Sequence, residues 1–287
     1  MFCEKIVLNA ERNAYLMRYT FEKNEAIMPN VVKRPAVVVC PGGGYIRCVY
    51  READPVAFQF MAAGYQAFVL YYSVDEDAVF PNSLMDLCEA MKLIRDNAEE
   101  FGVIEDQIAV CGFSAGGHLA ASLGVYWNNP EIMEKSGCKN GENKPNALIL
   151  GYPVISTSWL ESHGQLAALI GDNDWESTYK MLNVQTGVGK HTPPAFLCHT
   201  ARDEGVPVKD SIYFATRSLE AGVPCELHIF PNGGHGMSLG TPQVNVNGGD
   251  KSFAQWVNLA INWLDRLFQN PEEGYAPLGP DLYCAKY

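Results

Sequence analysis

The sequence contains no apolar run long enough to cross a bilayer. A spanning helix needs about 20 apolar residues, whereas the longest candidates here, such as residues 36–40 and 147–150, have only the length of a strand. The first residues, MFCEKIVLNAERN, also lack the basic start and apolar core of a secretory signal. We therefore expect a protein that neither spans a membrane nor carries a secretory leader.

Paired cysteines and an excess of basic residues are missing as well. The nine cysteines are odd in number and include no CxxC pair, and Cys40, Cys111 and Cys198 fall inside apolar runs. This usage indicates a reducing cytoplasm and predicts neither a metal site nor a disulfide framework. With 21 Lys and Arg against 33 Asp and Glu, the formal charge is −12. Such a surface repels phosphate backbones, so we expect no nucleic-acid partner, whereas neutral substrates are permitted.

Apolar residues, by contrast, make up 47% of the chain and occur in short runs. Six runs rich in β-branched or aromatic residues cover residues 36–40, 66–72, 107–111, 147–151, 195–199 and 225–230. Most of them lack the alternation of a half-exposed strand. This favours strands that are buried on both faces, as in a parallel sheet.

Helical patterns separate these runs. They cover residues 52–63, 118–127, 208–221 and 253–268. The clearest pattern starts at Ser83, where Ser83 and Asp86 fit a capping box. Strands that alternate with helices predict a three-layer α/β domain, with a mostly parallel central sheet and helices on both faces. Residues 5–21 alternate loosely, which predicts an antiparallel edge hairpin.

We interpret residues 1–287 as one domain in which two segments depart from the alternation of strands and helices. Residues 155–194 are polar and mixed in pattern, and we expect them to form a small cap-like insertion over the C-terminal edge of the sheet. Residues 270–287 carry three prolines and predict an irregular tail. Because such a tail packs either on the body of the protein or on a partner subunit, the sequence also permits a homo-oligomer.

The G-x-S-x-G motif at residues 112–116 is the first feature that carries chemistry. It follows one apolar run and precedes the helical pattern that begins at His118. A strand-turn-helix elbow holds its serine, Ser114, in a strained conformation with the hydroxyl exposed. The next amide, that of Ala115, then lies at a helix N-terminus, where negative charge is stabilised. The alternative interpretation is a glycine-rich turn with a capping serine.

An acid and a base are expected just beyond later strands. Asp203 follows the fifth apolar run, with Glu204 as the adjacent alternative, and His235 lies in a glycine-rich loop after the sixth. The order serine, acid, histidine is the one that an elbow of this type requires. We expect His199 to hold the acid loop by a hydrogen bond and His118 to be structural. The resulting triad predicts acyl-enzyme chemistry that needs neither a metal nor an organic cofactor.

The glycine loop PGGGY at residues 41–45 follows the first apolar run. In lipases and esterases a loop of this kind supplies amide donors to the oxyanion, together with the amide after the nucleophile. The alternatives are a phosphate-binding loop or a plain turn. The segment lacks both the Lys-Ser/Thr of a P-loop and the spacing G-x-G-x-x-G.

Taken together, these segments resemble the α/β-hydrolase superfamily, and more narrowly its bacterial esterase/lipase-like family, described as acetyl esterase, acetylxylan-esterase-like or sugar hydrolase. The resembling segments include PGGGY at 41–45, QIAVCGFSAGGHLAASLG at 107–124, TPPAFLCHTARDEGVPV at 192–208 and GVPCELHIFPNGGHGMSLG at 222–240. The resemblance covers most of the chain from residue 36 to about residue 268. It implies an α/β-hydrolase fold and a carboxylic ester hydrolase, with Ser114 as nucleophile, Asp203 as acid and His235 as base.

The same resemblance implies that the oxyanion donors are the amides of Gly43, Gly44 and Ala115. Pro41 stands where the lipase HGGG pattern has a histidine, so the pattern is met only in part. Which glycine amide donates therefore stays open at this point.

Four side chains are candidates for substrate contact. They are Tyr45, Tyr72, Trp159 and His163. Tyr45 adjoins the glycine loop and Tyr72 ends a strand, which would let both rings stack on a sugar or an acyl group, while Trp159 and His163 lie in the insertion and would form a lid. Ordinary core packing is at least an equal alternative for each aromatic ring.

The leading hypothesis is a cytoplasmic serine esterase of the carboxylesterase or acetylesterase type that deacetylates small carbohydrate esters. The acidic charge and the short insertion favour a small neutral ester, such as an acetylated sugar, as its substrate. A serine peptidase acting on small peptides is one alternative, because the same triad cleaves amides. The other is a catalytically idle α/β hydrolase that serves as a ligand-binding scaffold, against which the apparently complete triad argues.

Overall fold

An eight-stranded sheet lies at the centre of the protein. The structure, a computed structural model, describes residues 1–22, 33–245 and 248–269. The strands are β1 (Phe2–Asn9), β2 (Ala14–Thr20), β3 (Arg34–Cys40), β4 (Gln66–Tyr71), β5 (Val103–Phe113), β6 (Ala147–Gly151), β7 (Ala195–Thr200) and β8 (Cys225–Phe230). The predicted tail at residues 270–287 lies outside the described residues.

Helices connect these strands. They are α1 (Asp54–Ala62), α2 (Asn82–Asp96), α3 (Ala98–Phe101), α4 (Ala115–Tyr126), α5 (Pro130–Ser136), α6 (Thr157–Ser162), α7 (Gln165–Ile170), α8 (Trp175–Leu182), α9 (Lys209–Glu220) and α10 (Trp256–Gln269). Short 3₁₀ turns lie at Tyr50–Glu52, Asp75–Ala78, Val184–Gly187 and Phe253–Gln255. Within the described ranges, none of the helices has both the length and the apolarity that crossing a bilayer requires.

The strand order is β1-β2-β4-β3-β5-β6-β7-β8. From β4 to β8 all neighbouring strands are parallel, whereas β1 pairs antiparallel with β2, and β2 with β4. All six predicted apolar runs form strands, and the predicted edge hairpin is confirmed as β1 and β2. Because β5, β6, β7 and β8 run in the same direction, their carboxyl ends meet at one edge of the sheet.

The core has two halves, one on each face of the sheet. Side chains alternate along a strand, so Val38 packs in one half while its neighbours Val37 and Val39 pack in the other. Helices α2 and α4 cover the first face, for example through Leu87, and α1 and α10 cover the second, for example through Trp263. The predicted three-layer arrangement, the α/β-hydrolase fold with helices on both faces, is confirmed.

The predicted capping box at Ser83 and Asp86 is wrong. Helix α2 begins at Asn82 with Pro81 at the cap position, and no side chain caps it. Ser83 instead donates to the carbonyl of Ser73 (2.8 Å), and Asp86 accepts from the Ser73 amide (2.8 Å) and from the Arg12 guanidinium (2.9 Å). Both side chains are buried, and their hydrogen bonds go to Ser73 and Arg12 instead of to the end of the helix.

The predicted insertion contains α6, α7 and α8 and lies over the carboxyl edge of the sheet. Trp159 of α6 donates from its indole nitrogen to the carbonyl of Gly205, at 2.7 Å, in the loop that follows β7. This hydrogen bond attaches the insertion to the loop in which sequence analysis predicts the catalytic acid.

The turn between β5 and α4 packs backbone directly on backbone. A Cβ atom at Gly112 would lie 2.1 Å from the carbonyl oxygen of Gly116, and one at Gly116 would lie 2.2 Å from the carbonyl oxygen of Cys40. Neither neighbour is a flexible side chain, so neither can move aside cheaply. The two glycines of the motif are therefore required by the close approach of β3, β5 and α4.

We expect Gly112→Ala to lower the free energy of unfolding by about 3 kcal/mol, because the added methyl group overlaps backbone atoms. Urea unfolding followed by circular dichroism measures this change. Gly234→Ala is the matched control, since a Cβ atom there meets nothing within 4 Å, and we expect it to change stability by less than about 1 kcal/mol. Equal effects of the two substitutions would contradict this account of the turn.

Candidate active site

Ser114 lies at the turn between β5 and α4, in a backbone conformation that residues other than glycine rarely adopt. Its φ is 51° and its ψ is −117°, a strain that costs on the order of 1–3 kcal/mol. Hydrogen bonds on both sides hold it: its amide donates to the carbonyl of Gly151 (3.0 Å), and its carbonyl accepts from the amide of Val154 (3.1 Å). These hydrogen bonds hold the strained backbone of Ser114 in place.

His235 hydrogen bonds to both other members of the predicted triad. Its Nε2 lies 2.8 Å from Ser114 Oγ, and its Nδ1 lies 2.8 Å from Asp203 Oδ2. A carboxylate only accepts hydrogen bonds, so the proton of the neutral ring is on Nδ1. Nε2 is then free to accept from the Ser114 hydroxyl, which is the arrangement in which an imidazole acts as a general base.

Three hydrogen-bond donors and a close contact with His199 hold the Asp203 carboxylate. Oδ1 accepts from the amides of Gly205 (2.9 Å) and Val206 (2.8 Å), and Oδ2 accepts from His235 and lies 3.2 Å from Nε2 of His199. The side chain is fully buried. Burial alone would raise the pKa of Asp203, but the hydrogen bonds from His199, His235 and Val206 outweigh it and hold the pKa well below its ordinary value. The carboxylate is therefore charged.

The adjacent acid, Glu204, is exposed, and it is Asp203 that the structure brings to His235. His199 binds the acid loop as expected: Nε2 donates to the Val206 carbonyl (3.0 Å), and Nδ1 accepts from Ser211 Oγ (2.8 Å). His199 and His235 thus both approach Oδ2 of the same carboxylate.

His118 is buried beneath the glycine loop. Its Nε2 donates to the carbonyl of Leu182 (2.9 Å), so Nδ1 accepts from the Tyr45 hydroxyl (2.7 Å). Burial lowers the pKa of His118, which keeps the ring neutral. This agrees with the structural role that the sequence predicted.

Two of the three glycine amides of the glycine loop have no hydrogen-bond partner among the described residues. The amide of Gly42 donates to Oε2 of Glu52 (2.9 Å) and is therefore occupied. Among the described residues, the amides of Gly43, Gly44 and Ala115 have no hydrogen-bond partner. Gly43 and Gly44 have φ values of 136° and 66°, which turn their amides away from regular pairing. These three amides are the donors that the resemblance implied, and their role stays a prediction.

Two of the four candidate substrate contacts need correction. Tyr45 and Tyr72 are 5% and 2% exposed, so their rings offer no face to a sugar. Tyr72 donates to the carbonyl of Pro41 (2.7 Å), and Tyr45 binds His118. The hydroxyl group of each ring has its hydrogen-bond partner inside the core. Both residues therefore stabilise the glycine loop and do not face a substrate.

The other two candidates lie at the surface of the site. Trp159 and His163 stack with a ring-centroid separation of 4.3 Å. The outer edge of the Trp159 ring lies 3.7 Å from the position that a Cβ atom at Gly44 would take, so the indole adjoins the glycine loop. His163 is exposed. The stacked pair therefore forms a wall beside the candidate oxyanion donors, and its contact with substrate stays a prediction.

A cavity of about 390 Å³ is lined in part by His235. Arg51, Met237 and Asn245 line it together with the glycines that flank the histidine. A volume at the lower end of the usual range for ligand pockets suits a small molecule. In the described part of the chain, no group of three or more His, Cys, Asp and Glu side chains is arranged to hold a metal ion.

Sequence analysis missed Glu52 and Tyr152. Glu52 is 2% exposed, and its Oε1 accepts from the Tyr152 hydroxyl at 2.8 Å. The Tyr152 ring packs edge-on against His235, with 5.2 Å between the centroids. A glutamate seven residues after the end of the glycine loop and a tyrosine after the fourth apolar run match no motif. One sequence feature did point to Tyr152: it lies just past the end of a strand, as Asp203 lies just past the end of another.

Comparison with known proteins identifies relatives over most of the chain. The model of the BD-FAE family matches residues 27–217. The endo-1,4-beta-xylanase B of Butyrivibrio fibrisolvens is 32% identical over 83% of this chain and 39% of that protein, and the acetylxylan esterase of Xylanibacter ruminicola is 30% identical over 72% of this chain and 42% of that protein. The chain thus spans less than half the length of either relative.

A solved structure matches nearly end to end. MGS-M1, an alpha/beta hydrolase enzyme from a Medee basin deep-sea metagenome library, is 36% identical, with a TM-score of 0.74. The match covers 93% of this chain and 98% of that one. The likeness therefore extends over the sheet, the helices and the edge that carries the site.

The depressed pKa of Asp203 makes its contribution to stability dependent on pH. An acid whose pKa is lower in the folded state stabilises the fold above its unfolded value of about 3.9, and this stabilisation is lost as the pH falls through the folded value. We expect Asp203→Asn to cost about 1.5–3 kcal/mol at pH 7, and the difference from wild type to be about 1 kcal/mol smaller at pH 3.

Urea unfolding of wild type and Asp203→Asn at pH 7, 5 and 3 measures this dependence. Glu204→Gln, at the exposed neighbour, is the control and should show no such trend. A difference between wild type and Asp203→Asn that stays constant over the whole range would mean that the carboxylate is not selectively stabilised in the fold.

Proposed function

Because the chain belongs to the BD-FAE family and has the α/β-hydrolase fold, we propose that it is a serine carboxylic ester hydrolase. We propose further that it works through an acyl-enzyme and deacetylates small carbohydrate esters. The observation that carries the proposal is the continuous chain of hydrogen bonds from Ser114 through His235 to Asp203, with 2.8 Å at each step.

The proposed reaction begins with attack by Ser114 Oγ on the ester carbonyl carbon. His235 accepts the hydroxyl proton on Nε2, and the Asp203 carboxylate stabilises the imidazolium that forms. The tetrahedral intermediate collapses as Nε2 returns the proton to the leaving alcohol, which leaves an acetyl group on Ser114. A water molecule then attacks the acetyl carbonyl carbon while His235 accepts its proton. His235 returns the proton to Ser114 Oγ as the second tetrahedral intermediate collapses, and acetate is released.

Negative charge develops on the former carbonyl oxygen at both tetrahedral stages. The partnerless amides of Gly43, Gly44 and Ala115 are the donors that we assign to it, and the N-terminus of α4 adds a favourable dipole. One donor of this kind contributes about 2.7–4 kcal/mol to the barrier reduction. Because these amides are fixed by the fold before substrate arrives, no reorganisation is needed during the reaction.

Three observations support a small, neutral, carbohydrate ester. The two curated relatives bear the names of a xylanase and an acetylxylan esterase. The formal charge of −12 disfavours polyanionic substrates. The stacked Trp159 and His163 pair offers a flat apolar wall next to the glycine loop, and such a surface suits the face of a sugar ring while an acetyl group reaches Ser114.

We expect Ser114→Ala to lower kcat/KM for p-nitrophenyl acetate by at least about 10⁴-fold, because the nucleophile is removed. Release of p-nitrophenolate, followed by its absorbance, measures this. Glu76→Gln, at an exposed position, controls for a general effect of substitution and should leave the rate unchanged. No turnover by wild type would favour the idle scaffold, and faster cleavage of aminoacyl-p-nitroanilides than of esters would favour the peptidase.

We expect Trp159→Ala to raise KM for acetylated xylo-oligosaccharides about tenfold, since the stacking surface is lost, with little change for p-nitrophenyl acetate. Acetate release gives the first value and p-nitrophenolate release the second. Trp175→Ala removes an exposed tryptophan elsewhere in the insertion and should alter neither. An equal loss on both substrates would indicate that Trp159 acts through its hydrogen bond to Gly205 and not by binding sugar.

A further inference from the structure

Glu52 is a buried carboxylate that the proposed mechanism does not use. It ends the 3₁₀ turn Tyr50–Glu52, shortly after the glycine loop, and is 2% exposed. Each of its oxygens has one donor: Oε2 accepts from the amide of Gly42 (2.9 Å) and Oε1 from the hydroxyl of Tyr152 (2.8 Å). Burying a charge is costly unless its hydrogen bonds are satisfied. A buried glutamate at this position therefore needs an explanation.

The hydrogen bonds continue from Tyr152 to the loop that carries His235. The Tyr152 oxygen accepts from the amide of Ser238 at 2.8 Å, three residues beyond the histidine. Ser238 in turn donates from Oγ to the carbonyl of Arg51, and its own carbonyl accepts from the Trp256 indole (2.8 Å). One connected network therefore joins the glycine loop, the turn at residues 50–52 and the histidine loop.

We propose that Glu52 is a positioning residue whose ionised carboxylate, acting through Tyr152, couples the glycine loop to the histidine loop, so that the oxyanion donors and the general base keep one fixed relative geometry. The inference rests on the proposed function, because it concerns how the same site is held together. In chemical terms, one buried carboxylate links two loops that lie almost 200 residues apart in the sequence.

The directions of the donors favour the charged form of Glu52. Tyr152 already accepts from Ser238, so its own proton is directed to Glu52, and the Gly42 amide can only donate. Neither partner therefore offers an acceptor for the proton that a neutral carboxyl group would carry. Burial raises the pKa of Tyr152, which keeps this hydroxyl protonated.

Burial also raises the pKa of Glu52, although the hydrogen bonds from Tyr152 and Gly42 oppose the shift. The titratable or charged groups that act on Glu52 or that it acts on are Arg51, Tyr72, Cys111, Tyr152 and His235. Of these, Arg51 and His235 lower the pKa of Glu52 through their charge. The coupling is present above the folded pKa of Glu52 and is lost as the pH falls through it.

The packing leaves the network no freedom to rearrange. A Cβ atom at Gly42 would lie 2.7 Å from Oε2 of Glu52 and 2.8 Å from the carbonyl of Phe113, so the amide and the carboxylate are in direct contact. Tyr152 has a φ of 36°, and its ring touches His235 edge-on. A shift of Glu52 is therefore passed both to the glycine loop and to the imidazole.

We expect Glu52→Gln and Tyr152→Phe each to lower kcat for p-nitrophenyl acetate by about 10–100-fold, with KM within about twofold. A displacement of catalytic groups by about 1 Å has effects of this size. Because both substitutions break the same link, the double variant should lose little more than either single one. In addition, kcat of wild type should fall more steeply with acid than kcat of Glu52→Gln, which lacks one of the titrating groups.

Steady-state kinetics from pH 4 to 8, with thermal unfolding of each variant, test these expectations. Tyr152→Phe keeps the ring and its packing, so it serves as the second variant if Glu52→Gln does not fold. Multiplicative losses in the double variant, a change confined to KM, or equal acid dependence of wild type and Glu52→Gln would each overturn the inference.

Labelling by a fluorophosphonate separates this inference from the proposed function. Wild type and both single variants should label completely, the variants more slowly, while Ser114→Ala should not label. Activity retained in Ser114→Ala would overturn the proposed function itself. Wild-type kcat in Glu52→Gln and Tyr152→Phe, with Ser114→Ala inactive, would leave the proposed function standing and overturn only the role of Glu52.

Discussion

The hydrogen bond between Ser114 and His235 joins residues 121 positions apart, and it depends on the direction of four strands. β5 carries the serine and β8 precedes the histidine, with β6 and β7 between them. Three strand spacings amount to about 14 Å. His235 lies five residues beyond Phe230, the end of β8, and five residues reach about 17 Å when extended. A short loop therefore spans the sheet edge only because the strands are parallel.

Around this bond the site is held by polar contacts that the apolar core alone does not supply. Two buried carboxylates lie behind Ser114 and His235, Asp203 with three hydrogen-bond donors and Glu52 with two. The pKa values of the two carboxylates shift in opposite directions. Hydrogen bonds from His199 and His235 outweigh burial and lower the pKa of Asp203, whereas burial is the larger effect at Glu52 and raises its pKa. Glu52 therefore gains a proton at a higher pH than Asp203 does.

Local sequence patterns predicted the secondary-structure elements more accurately than they predicted the contacts of particular side chains. The apolar runs identified the strands, and the motif at residues 112–116 located the elbow, because strand burial and tight turns impose strict local requirements. Ser83 and Asp86 matched a capping box yet bind the loop at Ser73 and the side chain of Arg12. Tyr72 was a candidate for substrate contact, with core packing as the alternative, and it donates to the carbonyl of Pro41 inside the core. Such partners lie outside the local window, so no spacing rule identifies them.

The sequence by itself determined the order of strands and helices, the elbow at Ser114 and the acid and histidine positions after later strands, because each follows from residues close together in the chain. Only the tertiary structure decided that Asp203 and not Glu204 reaches His235, and that Glu52 and Tyr152 join two loops. It also decided that the Gly42 amide is occupied, whereas those of Gly43 and Gly44 have no partner in the part of the chain that the structure describes. The physical reason is that hydrogen bonds require correct distance and direction, and both are set only when the strands have assembled into one sheet.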